Sequence, residues 1–144
     1  MDTDARRLVI FAAVTVLVVT SSLVPGPTDA TGEPTPDVAP PGTDLLAHFV
    51  GYAAIAYTLG RALSPRRSRG DGEPSASVAA VVGVVAVATG IGAGVEVAQG
   101  VVPGRDPSAL DGVANAVGAA VGALLWRRRG GERDAGERGG DDRE

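Results

Sequence analysis

Four apolar runs, at residues 8–24, 45–63, 77–101 and 110–126, alternate with stretches rich in proline, glycine and charge. Each run is close to the ~20 residues a helix needs to cross a hydrocarbon core. A helix of a soluble bundle would carry a polar stripe along one side, and the run 8–24 offers only Thr15 and, at its end, Thr20, Ser21 and Ser22. The pattern predicts an all-α protein, a bundle of four transmembrane helices. The first connection holds Pro25, Pro27, Pro34, Pro36, Pro40 and Pro41. Proline lacks a backbone donor and blocks helix, so this segment reads as an extended loop. A second polar loop runs from Pro65 to Pro74. After Trp126 the chain becomes Gly-rich and highly charged, which predicts a disordered tail. The expected division is a membrane domain over 1–129 and a tail over 130–144.

The arginines add a direction. Arg6 and Arg7 precede the first run, Arg61, Arg66, Arg67 and Arg69 follow the second, and Arg127 to Arg129 follow the fourth. The other two connections contain only Arg105. By the positive-inside rule both termini are cytoplasmic. Arg6-Arg7 before an apolar run is also the layout of a cleaved signal, twin-arginine type included. The length of the run and the lack of a clear A-x-A site favour a retained helix.

Polar groups inside apolar helices are costly and call for partners or a task. Asp44, His48 and Tyr52, spaced four apart, share one helix face with a drift of about 40° per step. Asp44 also suits a helix start, where a carboxylate meets the positive end of the helix dipole. Glu96 has no capping role to explain it and lies roughly 8 Å inside its run at the helical rise. A carboxylate at that depth takes up a proton or draws in a cation. Gln99 lies one turn further along the same face. Arg105 ends a Pro103-Gly104-Arg105 turn, placed either to pair with Glu96 or to clamp a phosphate or carboxylate. Ser108 and Asp111 have the spacing of a capping box. Asn115 can bridge helices for on the order of 1 kcal/mol. On the predicted topology all of these fall in the outer half of the membrane. Gly90 and Gly94, like Gly118 and Gly122, form G-x-x-x-G pairs that let membrane helices approach closely.

Composition removes several kinds of chemistry. There is no cysteine, so disulfides and thiolate chemistry are excluded. H-E-x-x-H, G-x-S-x-G and Walker patterns are absent as well. The net charge is −4, and every one of the 13 basic residues is Arg. That balance fits a GC-rich, salt-adapted (halophilic) source. The arginines stand in small groups at helix ends, so no nucleic-acid-binding face is expected.

The combined layout resembles the VanZ-like family. D-x-x-x-H-x-x-x-Y is Asp44, His48 and Tyr52; E-x-x-Q is Glu96 and Gln99; P-G-R is Pro103 to Arg105; and D-x-x-x-N-x-x-G-x-x-x-G is Asp111, Asn115, Gly118 and Gly122. The resemblance covers about residues 6–126 and is densest in the last third. Leu45 stands where the family pattern often has Lys, so no role of that Lys carries over. The resemblance implies a small multi-pass membrane protein of the cell envelope, in a family named for teicoplanin resistance, and brings no settled activity.

Three functions follow as expectations. The first is binding: Asp44, His48, Tyr52, Glu96, Gln99, Arg105, Asp111 and Asn115 line an outward-facing polar pocket for a lipid headgroup or another lipophilic envelope molecule. The second is an enzyme acting on such a lipid or on an isoprenoid phosphate, with Glu96 or His48 as acid and base and Arg105 steadying developing charge. The third is a structural protein whose polar groups only tie helices together. Membrane lipids are the expected partners. No cofactor is assigned, and the three acids with the one histidine leave a divalent cation open.

Overall fold

A computed structural model describes residues 2–25, 42–64, 76–102, 105 and 107–138, with side chains up to Gly130. The prolines between 27 and 41, Arg66 to Arg69, Pro103, Gly104 and residues 139–144 lie outside the described residues. Four helices make up the rest: α1 (Thr3–Ser22), α2 (Thr43–Leu63), α3 (Val78–Gln99) and α4 (Ala109–Arg138).

Local chemistry sets the helix ends. α1 begins five residues before its apolar run, with Asp4 in its first turn, where a carboxylate favours the helix N-terminus. Gly42 precedes α2 with φ of 85°, a left-handed turn that glycine makes without a Cβ penalty. At the start of α3 the Ser77 hydroxyl accepts from the Ala80 N–H at 3.2 Å. α3 stops at Gln99, two residues short of the expected end, and Gly100 follows. α4 continues beyond Trp126 to Arg138, so its backbone is helical across residues for which composition predicts disorder. A helix already nucleated by packed turns extends without a new nucleation cost, and here it runs through Gly130, Gly131 and Gly136 as well as the better helix formers Arg, Ala and Glu.

The helices run alternately up and down. At one end the N-terminal turns of α1 meet the C-terminal end of α2, with the Arg7 guanidinium donating to the Ser64 carbonyl at 3.4 Å. The Trp126 indole N–H of α4 donates to the Ser64 hydroxyl at 3.0 Å. Arg129 donates to the Tyr57 hydroxyl at 2.9 Å, with its guanidinium 5.4 Å from the ring centroid. At the opposite end the C-termini of α1 and α3 meet the N-termini of α2 and α4. Among the described residues, Arg105 is the only basic side chain at that end.

The core is narrow and built from small residues. Tyr52, Ile55, Ala56 and Leu59 of α2 pack with Val81, Val84 and Ala88 of α3 and with Ala119 and Ala123 of α4. Phe11, Val14 and Val18 of α1 pack against it from one side. The closest seam joins α2 to α4. A Cβ at Gly118 would fall on the Phe49 carbonyl, and one at Gly122 on the Ala53 carbonyl. Trp126 closes this seam by lying over Gly60. Trp126→Phe should retain the ring and lose the bond to Ser64. We expect a cost of about 1 kcal/mol, measured by unfolding of the detergent-solubilised protein.

Large apolar side chains cover the outside. Leu8, Val9, Val16 and Leu17 of α1 are exposed, as are Val82, Val87 and Val97 of α3 and Val113, Val117, Leu124 and Leu125 of α4. Soluble monomers rarely expose contiguous apolar surface on this scale, and a hydrocarbon surround gives it a solvent. Thr3–Ser22, Val78–Gln99 and Ala109–Gly130 are each long and apolar enough to cross a membrane. The chain is therefore a multi-pass membrane protein. α2 stands apart from those three because Asp44, His48, Tyr52, Tyr57 and Arg61 dilute its apolar content. It is also well buried, with His48, Tyr52, Ile55, Ala56, Leu59 and Gly60 all turned inward.

Candidate functional site

The polar end of the bundle is organised by Glu96, in the last turns of α3. Its Oε2 accepts the Ser108 backbone N–H at 3.0 Å. Its Oε1 accepts from Asn115 Nδ2 at 3.5 Å and lies 4.0 Å from His48 Nδ1. Glu96 thus caps the start of α4 from a neighbouring helix. The first backbone N–H groups of a helix have no partner of their own, and the chain meets one of them with a side chain 12 residues earlier.

That contact changes the expected capping box. The Ser108 hydroxyl does accept from the Asp111 N–H, at 3.4 Å. The reciprocal donor, Ser108 N–H, goes to Glu96 rather than to Asp111. The Asp111 carboxylate, on a residue only 7% exposed, instead approaches His48 and Asp44. One ligand atom from each of Asp44, His48 and Asp111 lies within 4.8 Å of the other two.

Asn115 is 1% exposed and joins two of the elements. Its Oδ1 lies 3.0 Å from His48 Nδ1, while its Nδ2 faces Glu96. An amide has one acceptor end and one donor end. With Nδ2 turned to a carboxylate, Oδ1 is left to accept, so His48 Nδ1 carries the proton in this pair. Tyr52, one turn along α2, stacks on the imidazole with ring centroids 6.3 Å apart and planes 6° from parallel. Its hydroxyl is buried without a hydrogen-bond partner among the described residues.

Gln99 and Arg105 reach elsewhere. Gln99 Nε2 donates to the Ser22 carbonyl at the end of α1, at 2.9 Å. Arg105 Nε donates to the Val24 carbonyl at 2.9 Å, and its NH1 lies 3.9 Å from Asp44 Oδ1. Arg105 therefore faces Asp44, not Glu96. Asp44, His48, Tyr52, Glu96, Asp111 and Asn115 come together around the junction of α2, α3 and α4, while Gln99 and Arg105 fasten α1 to it. These ties join α2 to α4, α3 to both of them, and α1 to α3.

The glycines divide differently from their motifs. Gly118 and Gly122 face α2, whereas a Cβ at Gly90 or Gly94 would meet open space. The close glycine of α3 is Gly92, where a Cβ would come within 2.9 Å of Asn115 Nδ2 and 3.1 Å of the Tyr52 ring. Sequence reasoning passed over Gly92 because it lies outside the four-residue spacing. It also passed over the carbonyls of Ser22 and Val24, and the bond from the Ser108 N–H to Glu96. The groups that count there are backbone atoms, which carry no side-chain signature.

The fold and the site together define a membrane-embedded helical bundle whose helices are tied by a buried polar network. Comparison with protein-family models, curated proteins and solved structures finds no match for this chain.

Proposed function

We propose that this chain is a four-span, VanZ-like membrane protein with both termini on the cytoplasmic side. Its outer polar cluster serves to hold the helices and their connections in one arrangement. The observation that carries the reading is the use made of the polar groups. Both Glu96 oxygens accept protein donors, Gln99 and Arg105 bind carbonyls at the end of α1, and Asn115 bridges His48 to Glu96. The arginine asymmetry between the two ends of the bundle supports the sidedness.

The competing roles ask more of the same atoms. Clamping a lipid headgroup would fall to Arg105 NH1 and NH2, in competition with Asp44, while Nε stays on the Val24 carbonyl. Acid–base work on a lipid requires Glu96 to give up a donor, or His48, 4% exposed, to reach the substrate. Native mass spectrometry of the protein released from its own membrane, wild type beside Arg105→Ala, separates these readings. The structural role predicts no specific lipid on either protein. It also predicts a stability loss of about 1–2 kcal/mol for the variant, because the charged hydrogen bond to Val24 goes together with the weak, partly exposed ion pair. A lipid retained by wild type and lost from Arg105→Ala would establish the binding role instead. A reporter fused after Arg129 should read as cytoplasmic, and an extracellular signal would overturn the sidedness.

A further inference from the structure

We propose that Asp44, His48 and Asp111 form a three-ligand site for a divalent cation of the zinc class. The proposal goes beyond the tying role and does not rest on it, since the ties are complete without an ion. Its geometric basis is the approach of one ligand atom from each residue to within 4.8 Å of the others, from the first turns of α2 and α4. Two further observations point to a cation.

The first is the Asp111 carboxylate. It sits on a residue 7% exposed, and Glu96 has taken the capping donor that would otherwise occupy it. Among the described residues it accepts no hydrogen bond, and it is directed at His48 and Asp44. A carboxylate on so little exposed a residue, with no protein donor beside it, is open to a cation.

The second is the tautomer of His48. Glu96 orients Asn115, and Asn115 Oδ1 takes the Nδ1 proton at 3.0 Å. The lone pair of the neutral ring is then on Nε2, which has no hydrogen-bond partner among the described residues. A metal-bound histidine characteristically donates its other ring N–H to a carbonyl or carboxylate, which fixes the ring and makes it a better ligand. Asn115 and, behind it, Glu96 hold that position.

The donor set selects the class of ion. One neutral imidazole and two carboxylates carry a charge of −2, which a dication neutralises. Imidazole suits zinc-like ions, whereas calcium takes six or more oxygens and magnesium keeps most of its water. Three protein ligands with one open position is the zinc arrangement that retains a water. In a tetrahedral site with bonds near 2.0 Å the ligand atoms stand about 3.3 Å apart. The cluster must therefore close by about 1.5 Å at its widest. Asp44 is the ligand free to make that movement, because it is exposed and held by Arg105 only at 3.9 Å. His48 and Asp111, buried on packed helices, are the fixed pair.

The test uses the full chain in detergent, stripped of metal and titrated with Co²⁺ while the visible d–d bands are followed. We expect binding of about one equivalent with four-coordinate absorption, displaced by Zn²⁺. Asp44→Asn should weaken it at least about tenfold and lower the melting of the metal-free protein no more than Arg105→Ala does, since the charge it removes belongs to the same partly exposed ion pair. The pair Asp141→Asn and Asp142→Asn, in the charged tail, should bind as wild type does. Absence of the bands, or equal affinity in Asp44→Asn and wild type, would overturn the site. Neither result bears on whether a lipid is retained, so this proposal and the tying role fail separately.

Discussion

Replacing Gly122 by alanine is expected to break the seam between α2 and α4. The added Cβ falls on the Ala53 carbonyl, and at Gly118 the same change meets the Phe49 carbonyl. The atoms in the way are backbone, so no rotamer change relieves the clash and the helices must separate. Overpacking of a core ordinarily costs about 1–3 kcal/mol, and each alanine here belongs at the upper end or above it. The loss should spread along the seam, because Trp126, lying over Gly60, depends on the same helix separation. Gly90→Ala and Gly94→Ala supply the contrast. Both positions face open space, and alanine is favoured over glycine inside a helix by up to about 1 kcal/mol. Unfolding of all four variants in detergent checks the prediction. Equal losses at 90, 94, 118 and 122 would mean that the seam is not where these contacts put it.

The second large effect is expected from Glu96→Gln. The change keeps the shape and is conservative at many sites. Here both carboxylate oxygens face donors, Ser108 N–H and Asn115 Nδ2. A glutamine accepts from one and must turn its own NH₂ toward the other. One buried donor is left unsatisfied beside another, which costs about 1–3 kcal/mol. Asn115 can escape by flipping its amide only if His48 also moves its proton from Nδ1 to Nε2, so the change spreads to a third residue. Coupling between Glu96→Gln and Asn115→Ala, measured as a double-mutant cycle, should be well above the ~0.5 kcal/mol within which independent sites add. Additive losses would show that Glu96 and Asn115 act separately. A catalytic Glu96 predicts the opposite pattern, with stability held and an activity lost.

Both predictions rest on features that were only half legible beforehand. The two G-x-x-x-G pairs are identical as patterns, yet one lines a helix seam and the other faces outward. Spacing says that two glycines share a face, and it does not say what that face meets. The site behaves in the same way. Asp44, His48, Glu96, Asp111 and Asn115 stand out in the sequence because polar groups are costly in apolar helices. Asn115 bridges helices and Ser108 accepts from the Asp111 N–H, as the spacing suggests, but two other partners differ. Arg105 pairs with Asp44, and Glu96 takes the place in the capping box that Asp111 was expected to fill.

The sequence by itself determined that the protein is helical, where its apolar segments lie, and that its polar residues gather at one end. Run length, proline placement and arginine distribution carry that information locally, one segment at a time. Only the tertiary structure decided how the helices are rotated about their axes. It also decided which backbone carbonyls and N–H groups meet Gln99, Arg105 and Glu96, and that Asp111 is released toward His48. These depend on distances between segments dozens of residues apart in the chain, set by packing of small residues to within an ångström. α4 makes the same point at its far end, where helix propagates to Arg138 beyond the apolar signal that began it.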